Sequence, residues 1–289
     1  MLIRGFAHNN SKIAERTLVM SLLDLKRLRL SEKDLDFLVE TAHPGVTDKP
    51  RLKQIIREDE DFRNKIIADE KVLKRIADDD EILLKISPLL FFQILLRKTA
   101  SDLSQLSYTF EKTSTMIIPV FDAKEVADLL NHAPLLLYLA DMLSSFTRVE
   151  SYAISFRTKK GIWRKIRFSD LDIPSLISFS EAVEDEYRLG FYKRIADLCL
   201  FVLGIFPDFV VRECRYPFSQ ELRPRIRGKK RIRPEDYEEE GRKFYKLAAE
   251  HQSANALELS EVFWALHENF QKAKKPLNFI AENYLHHKR

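Results

Sequence analysis

Glycine is scarce in this chain, and its scarcity restricts the possible folds more than any other feature of the sequence. The 289 residues include seven glycines and eleven prolines. Sheets joined by tight turns and loops that hold phosphate groups both use glycine, because it adopts positive φ angles at no steric cost. Hydrophobic residues make up 45% of the chain, which is enough for a substantial core. The composition therefore predicts an all-α protein, a mainly helical multi-helix bundle.

The first 86 residues are predicted to form an N-terminal segment of short helices. Apolar residues at helical spacing indicate a helix over residues 11–30. Ser31 and Asp34 resemble an N-cap that opens the next helix, and His43-Pro44-Gly45 stops it.

Isoleucine recurs every ten residues in the rest of this segment, at Ile56, Ile66, Ile76 and Ile86, with acidic clusters between the isoleucines. On one continuous helix a ten-residue step leaves a rotation of about 80°, so these side chains do not share a face. In the interpretation that we prefer, short helices begin at Asp caps and each presents an isoleucine inward, since helices average about 11–12 residues. In the other, residues 51–87 form one long helix whose apolar stripe is Ile55, Phe62, Ile66, Leu73, Ile76 and Leu83.

Residues 87–289 are predicted to form the main helical domain, which contains one β-hairpin. Residues 152–157 and 162–168 alternate with period two, and a short loop ending at Gly161 joins them. This pattern predicts a hairpin near 151–168. Helices are indicated from Pro88, after a cap at Asp122, and over 135–146, 173–186, 188–206, 234–251, 257–270 and 276–285. The sequence predicts loops around Thr113–Pro119 and over the basic segment 212–234.

Cysteine content and hydropathy indicate the cellular compartment that suits the chain. The two cysteines, Cys199 and Cys214, cannot build a disulfide framework, and a reducing compartment fits them best. The two most apolar runs, Leu89–Leu96 and Ile195–Phe206, are shorter than the roughly 20 residues that cross a bilayer. The sequence therefore predicts a cytoplasmic protein with no transmembrane segment.

The basic loop supplies the first functional lead. The concentration of arginine and lysine in the basic segment 212–234 suits contacts to phosphate groups, and such contacts provide most non-specific affinity for nucleic acid. In the alternative, which we prefer, the loop is solvated and neutralised by the acidic residues of 235–240. Its candidate contacts to nucleic acid or a partner are Arg223, Arg225, Arg227, Lys229, Lys230, Arg231 and Arg233.

The hairpin supplies the second lead, with Lys159, Lys160 and Arg164 as candidate contacts. Two helices and a basic hairpin follow each other in the order of a winged helix-turn-helix. The helix that would read the major groove, Leu135–Phe146, holds no Arg or Lys and resembles core instead. We therefore prefer a plain hairpin.

No catalytic, cofactor-binding or metal-binding motif is recognisable, so the sequence identifies no catalytic residue, cofactor or metal ligand and disfavours an enzyme. Tyr237, Gly241, Phe244 and Leu247 match the first helix of a tetratricopeptide-like unit, in which a small residue lets two helices pack closely. The following helix does not keep that pattern. The match supports close helix pairing and no named repeat.

The stretch from Tyr192 to Pro207, YKRIADLCLFVLGIFP, resembles a family of uncharacterised bacterial helical proteins, and the resemblance extends over much of residues 86–285, including Phe121-Asp122-Ala123. The resemblance implies a helical fold and brings no assigned activity with it. Within the stretch, Asp197 lies in an apolar helix. We expect a structural ion pair between Asp197 and Arg194 or another buried base.

These observations predict a non-enzymatic helical scaffold or regulatory protein that acts through a macromolecular partner, most simply a protein. The alternative is a nucleic-acid-binding protein that uses residues 223–233 and the hairpin 151–168. No feature of the sequence sets an oligomeric state.

Overall fold

Helices with identifiable start signals form most of the chain. The structure, a computed structural model, describes residues 30–79, 81–112, 116–147, 151–157, 163–169, 171–207 and 233–285. The predicted helix over 11–30, most of the basic loop and the tip of the predicted hairpin lie outside these residues. Among the residues described, no helix is both long and apolar enough to cross a bilayer.

The described residues contain fourteen α-helices and two antiparallel hairpins, which confirms the mainly helical fold class. The first eight helices are α1 Glu32–Ala42, α2 Lys49–Glu58, α3 Glu60–Ile67, α4 Glu70–Asp78, α5 Ile82–Lys85, α6 Pro88–Ser104, α7 Ala123–Asn131 and α8 Ala133–Ser145. The other six are α9 Ile173–Ala182, α10 Arg188–Ile205, α11 Pro234–Glu250, α12 Gln252–Ala256, α13 Ser260–Glu268 and α14 Phe270–Ile280. The strands are β1 Thr109–Lys112, β2 Ile117–Val120, β3 Ser151–Arg157 and β4 Trp163–Ser169.

The contacts divide the chain into two compact units, each with its own core. The N-terminal unit comprises the described residues up to 147 together with 271–285, and the central unit comprises 151–270. The predicted boundary at residue 86 lies inside the N-terminal unit. There the buried carboxylate of Asp34 accepts a hydrogen bond from the backbone N–H of Ser87, with an N–O distance of 2.7 Å.

Residues 49–85 form four short helices, as the preferred interpretation of the isoleucine spacing predicts. Three begin at an aspartate whose side chain accepts a hydrogen bond from a backbone N–H in the first turn, which satisfies a donor that the helix leaves free. These caps are Asp48, Asp59 and Asp69. All four isoleucines of the ten-residue repeat are buried, whereas Ile55 and Leu83 of the alternative stripe are exposed.

Helices α6, α7 and α8 pack on one another in the N-terminal unit. Helix α8 is buried along most of its length, which agrees with a core helix and not with a helix that lies in a DNA groove. The segment from 109 to 120, predicted as a loop around Thr113–Pro119, instead contains the antiparallel pair β1–β2. Pro119 within β2 weakens the strand signal, because proline cannot donate to a ladder.

The C-terminal helix of this unit begins earlier than the sequence predicts. Proline at a helix start is common, so Pro276 was expected to open the helix. Helix α14 instead begins at Phe270 and contains Pro276 in its interior. A π-helical turn, Ala281–Leu285, follows it. Phe279 of α14 packs against Leu103, Val126 and Ala127, which places α14 in the core of the N-terminal unit.

Helices α10, α11 and α13 form the core of the central unit. The predicted hairpin is present in the same unit: β3 pairs antiparallel with β4, with Ile154 opposite Ile166. Gly241 of α11 allows the helices to pack closely, as its small size suggests. A β-carbon at this position would lie 2.5 Å from Phe270 Cε2 and 3.0 Å from Cys199 Cβ.

Candidate interaction site

The predicted basic contacts lie mostly outside the described residues. This applies to Arg223, Arg225, Arg227, Lys229, Lys230, Arg231, Lys159 and Lys160. Arg164 lies in β4, opposite Phe156. Arg233 is the residue before α11, and its guanidinium lies 3.6 Å from the carboxylate of Asp236. At this one position the basic loop is paired with the acidic residues that follow it, as the neutralised-loop interpretation predicts.

Asp197 is fully buried in α10, as expected, and forms an ion pair. The basic partner that the structure gives it is Lys193, four residues earlier, with an N–O distance of 2.8 Å. Arg194, the partner named from the sequence, is also buried. The hydroxyl of Tyr245 in α11 donates a hydrogen bond of 2.9 Å to the same carboxylate. Asp197 therefore links α10 to α11, which is a structural role.

Cys199 lies two residues after Asp197 in α10 and is fully buried. Burial, with a smaller contribution from the charges of Glu240 and Asp197, raises the pKa of the Cys199 thiol. The thiol stays protonated and acts as a small apolar side chain. In the described part of the chain, no group of three or more His, Cys, Asp or Glu side chains is placed to hold a metal ion.

Exposed apolar side chains are concentrated around the hairpin β1–β2 of the N-terminal unit. Of the eleven large apolar residues that are exposed among those described, seven fall between positions 106 and 121. We call them the hairpin surface: Leu106, Tyr108, Phe110, Met116, Ile117, Ile118 and Phe121. Phe121 is 80% exposed and Ile117 62% exposed. A local concentration of exposed apolar side chains indicates an interaction site, whereas single exposed apolar residues are ordinary.

Three aromatic rings of the hairpin surface contact one another. Tyr108 meets Phe110 edge to face with ring centroids 5.4 Å apart, and it meets Phe121 at 6.1 Å. Aromatic rings combine a large contact area with few rotatable bonds, and they are enriched among the residues that dominate binding energy. The rings therefore form a preassembled apolar cluster at the surface.

Buried polar groups hold the hairpin on the helices beneath it. Asp122 was predicted to cap α7, and it occupies the N-cap position, but its side chain makes no capping hydrogen bond. Its carboxylate instead accepts a hydrogen bond from the Thr109 hydroxyl and pairs with the buried ammonium of Lys275 in α14. This network joins β1, α7 and α14. Lys275 stands 153 residues from Asp122, so sequence reasoning had no local signal for it.

A groove of about 320 Å³ runs between β1 and the C-terminal part of this unit. Tyr108, Thr109 and Phe110 line one side of it. Residues of α14 and the π-helical turn line the other side, and Leu103 and Leu106 contribute from the end of α6. Beside the groove, the hydroxyl of Tyr284 donates to Asp102, and its burial together with this bond raises the pKa of Tyr284. The phenol therefore stays neutral and fixes the turn to α6.

Comparison of the chain with protein-family models, with curated protein sequences and with solved structures gives no significant match. The resemblance to uncharacterised bacterial helical proteins remains a prediction.

Proposed function

We propose that this protein is a cytoplasmic, non-enzymatic scaffold or regulatory protein that binds a protein partner through its hairpin surface. The single observation that carries the proposal is the concentration of exposed apolar side chains on residues 106–121. Leaving these side chains in water costs free energy that a partner recovers on binding, at roughly 25 cal/mol per Å².

The support for the hairpin surface as the binding face comes from its rigidity as well as from its apolar character. Asp122, Thr109 and Lys275 fix the hairpin to two helices through buried polar contacts. The edge-to-face rings are held in place before any partner arrives. A preorganised surface loses less conformational entropy on binding, which favours affinity.

Capture of partners from a lysate of the source cells tests the proposal when variants are compared. In the test variant, Ile117→Ser and Phe121→Ser are combined. Its matched control combines Leu83→Ser and Leu84→Ser, since these leucines are also exposed, at 55% and 78%, and lie in the same unit. We expect the captured protein to fall by about tenfold in the test variant and to stay within about twofold in the control. Equal capture by both variants contradicts the proposal.

Each capture is carried out with and without nuclease. A protein that persists after nuclease treatment agrees with the proposal, and a species that disappears favours the alternative, in which the basic loop and the hairpin 151–168 bind nucleic acid. The density of basic residues between Arg212 and Arg233 is the observation that keeps this alternative open.

A further inference from the structure

We infer that the groove beside β1 binds an extended, apolar segment of the partner, which pairs with the free edge of the strand and inserts one large side chain. This inference rests on the proposed function and specifies the partner's chemistry.

The groove lies along one edge of β1. Thr109 and Phe110 are neighbouring residues of this strand, and both line the groove together with Tyr108, which precedes the strand. Because neighbouring side chains of a strand point to opposite faces, a groove lined by both residues runs along the edge of the strand and not over one face. Strand β2 contributes no residue to the groove, so this is the edge away from β2.

The state of that edge is a further argument. Within the residues described, β1 belongs to a two-stranded sheet and pairs with β2 alone. Its other edge therefore has no strand partner among these residues, and the edge of a strand carries backbone N–H and C=O groups that can pair with another chain. Such an edge is a template for another extended chain, and strand addition is a recurring mode of peptide recognition.

Apolar side chains form much of the groove. Leu103, Leu106 and Phe279 line it together with the rings of Tyr108 and Phe110, and this lining suits a large apolar side chain. A helix satisfies its own backbone groups and has no use for the strand edge, so the occupant is extended.

Charge and size favour a peptide segment over an anionic cofactor. Among the described residues that line the groove, Lys275 is the one basic residue, and its ammonium is paired with Asp122. The described lining therefore does not select a phosphate or carboxylate ligand. The volume of about 320 Å³ lies at the small end of small-molecule sites, which span about 300–1,000 Å³. It matches a short peptide segment anchored by one side chain.

Selection of peptides against the full chain tests the inference. The probe is a phage-displayed library of random 12-residue peptides, and enriched peptides are then synthesised. Their affinity is measured for the unmodified protein, for Leu106→Lys in the groove and for Leu84→Lys, an exposed leucine outside it, as the matched control. Circular dichroism and urea unfolding establish that both variants are folded.

We expect enriched peptides that share a large apolar residue. Leu106→Lys should weaken their binding by about tenfold or more, and Leu84→Lys should change it by less than about twofold. N-methylation of alternate backbone nitrogens should weaken binding by about tenfold in one of the two possible registers, because it removes the donors that face β1.

Three results overturn the inference: no peptide is enriched, enriched peptides bind Leu106→Lys as tightly as the unmodified protein, or N-methylation in either register has no effect. These results are separable from failure of the proposed function. If Ile117→Ser with Phe121→Ser abolishes partner capture while Leu106→Lys does not, the partner contacts the hairpin surface at Ile117 and Phe121 and does not use the groove.

Discussion

Buried charge in the central unit illustrates what a single residue contributes. Asp197 and Lys193 are both almost without solvent contact, and the ion pair between them offsets part of the cost of burying their charges. Tyr245 adds a hydrogen bond from the facing helix. Removing one partner of such a pair removes that compensation in the core.

Asp197→Ala should therefore lower the free energy of unfolding by about 3–5 kcal/mol, since it removes the carboxylate that pairs with the buried ammonium of Lys193 and accepts the Tyr245 hydrogen bond. The matched control is Glu250→Ala. Glu250 pairs with Lys246 at the same four-residue spacing in α11, but both side chains are about half exposed. Loss of this exposed ion pair in Glu250→Ala should lower the free energy of unfolding by less than about 1 kcal/mol. Urea unfolding of the full chain measures both, and similar losses in the two variants would contradict the structural role of Asp197.

Gly241 contributes to helix packing because it has no side chain. Gly241→Ala places a methyl group 2.5 Å from the Phe270 ring, which is itself buried, so the ring or the helix must move. We expect the steric clash to lower the free energy of unfolding by about 1–3 kcal/mol. The higher helix propensity of alanine offsets about 1 kcal/mol of this loss. The same substitution at Gly45, where no atom lies within 4 Å of the added carbon, is the control. Thermal unfolding compares the two, and a stabilised Gly241→Ala variant would refute the close contact.

At the scale of elements, the ten-residue isoleucine spacing and the aspartate caps specify the short helices α2 to α4. The caps Asp59 and Asp69 each separate one helix from the next, so the next isoleucine points to the core again. Burial of the four isoleucines and exposure of Ile55 and Leu83 separate this arrangement from one long helix.

Adjacent isoleucines in α2 provide the sharpest test of this arrangement. Ile56 is fully buried, and Ile55 is 38% exposed. Ile56→Ala should cost about 2–5 kcal/mol because it leaves a cavity, and Ile55→Ala should cost less than about 1 kcal/mol. Denaturant unfolding with the same probe for both variants decides the matter. The opposite order of effects would favour the long helix.

At the scale of the whole molecule, the N-terminal unit is discontinuous in sequence, because the chain leaves it near residue 147 and returns at 271. Its core therefore depends on α14, which supplies Phe279 to the apolar cluster and Lys275 to Asp122.

A chain truncated after residue 269 should expose Leu103, Val126 and Ala127 and leave Asp122 without its cation. We expect amide hydrogen exchange in 88–131 to become faster, since local stability there would fall. A chain truncated after residue 285 is the control and should exchange like the full protein. Unchanged protection after the longer truncation would show that α14 is dispensable for this core.

The basic loop is tested at the same scale. Replacing Arg225, Arg227, Lys229, Lys230 and Arg231 with Ser should leave partner capture within about twofold, because the proposed contact is the hairpin surface. Binding to a fluorescent 30-base-pair DNA is measured in parallel at two salt concentrations. Affinity that falls steeply with salt and is lost in the five-residue variant would favour the nucleic-acid alternative.

The sequence by itself determined the features that depend on neighbours along the chain. Glycine scarcity predicted the helical class, caps and isoleucine spacing predicted α1 to α5, and period-two alternation predicted β3–β4, because turns, caps and periodicity act over a few residues. The proline of β2 concealed β1–β2 from the same reasoning.

Tertiary structure alone decided the candidate site and the identities of buried partners. Lys275 meets Asp122 across 153 residues, and Tyr245 meets Asp197 across 48. The exposure of Phe110, Ile117 and Phe121 likewise depends on what else covers them, because an apolar residue in a sequence reads the same whether it lies in a core or on a surface.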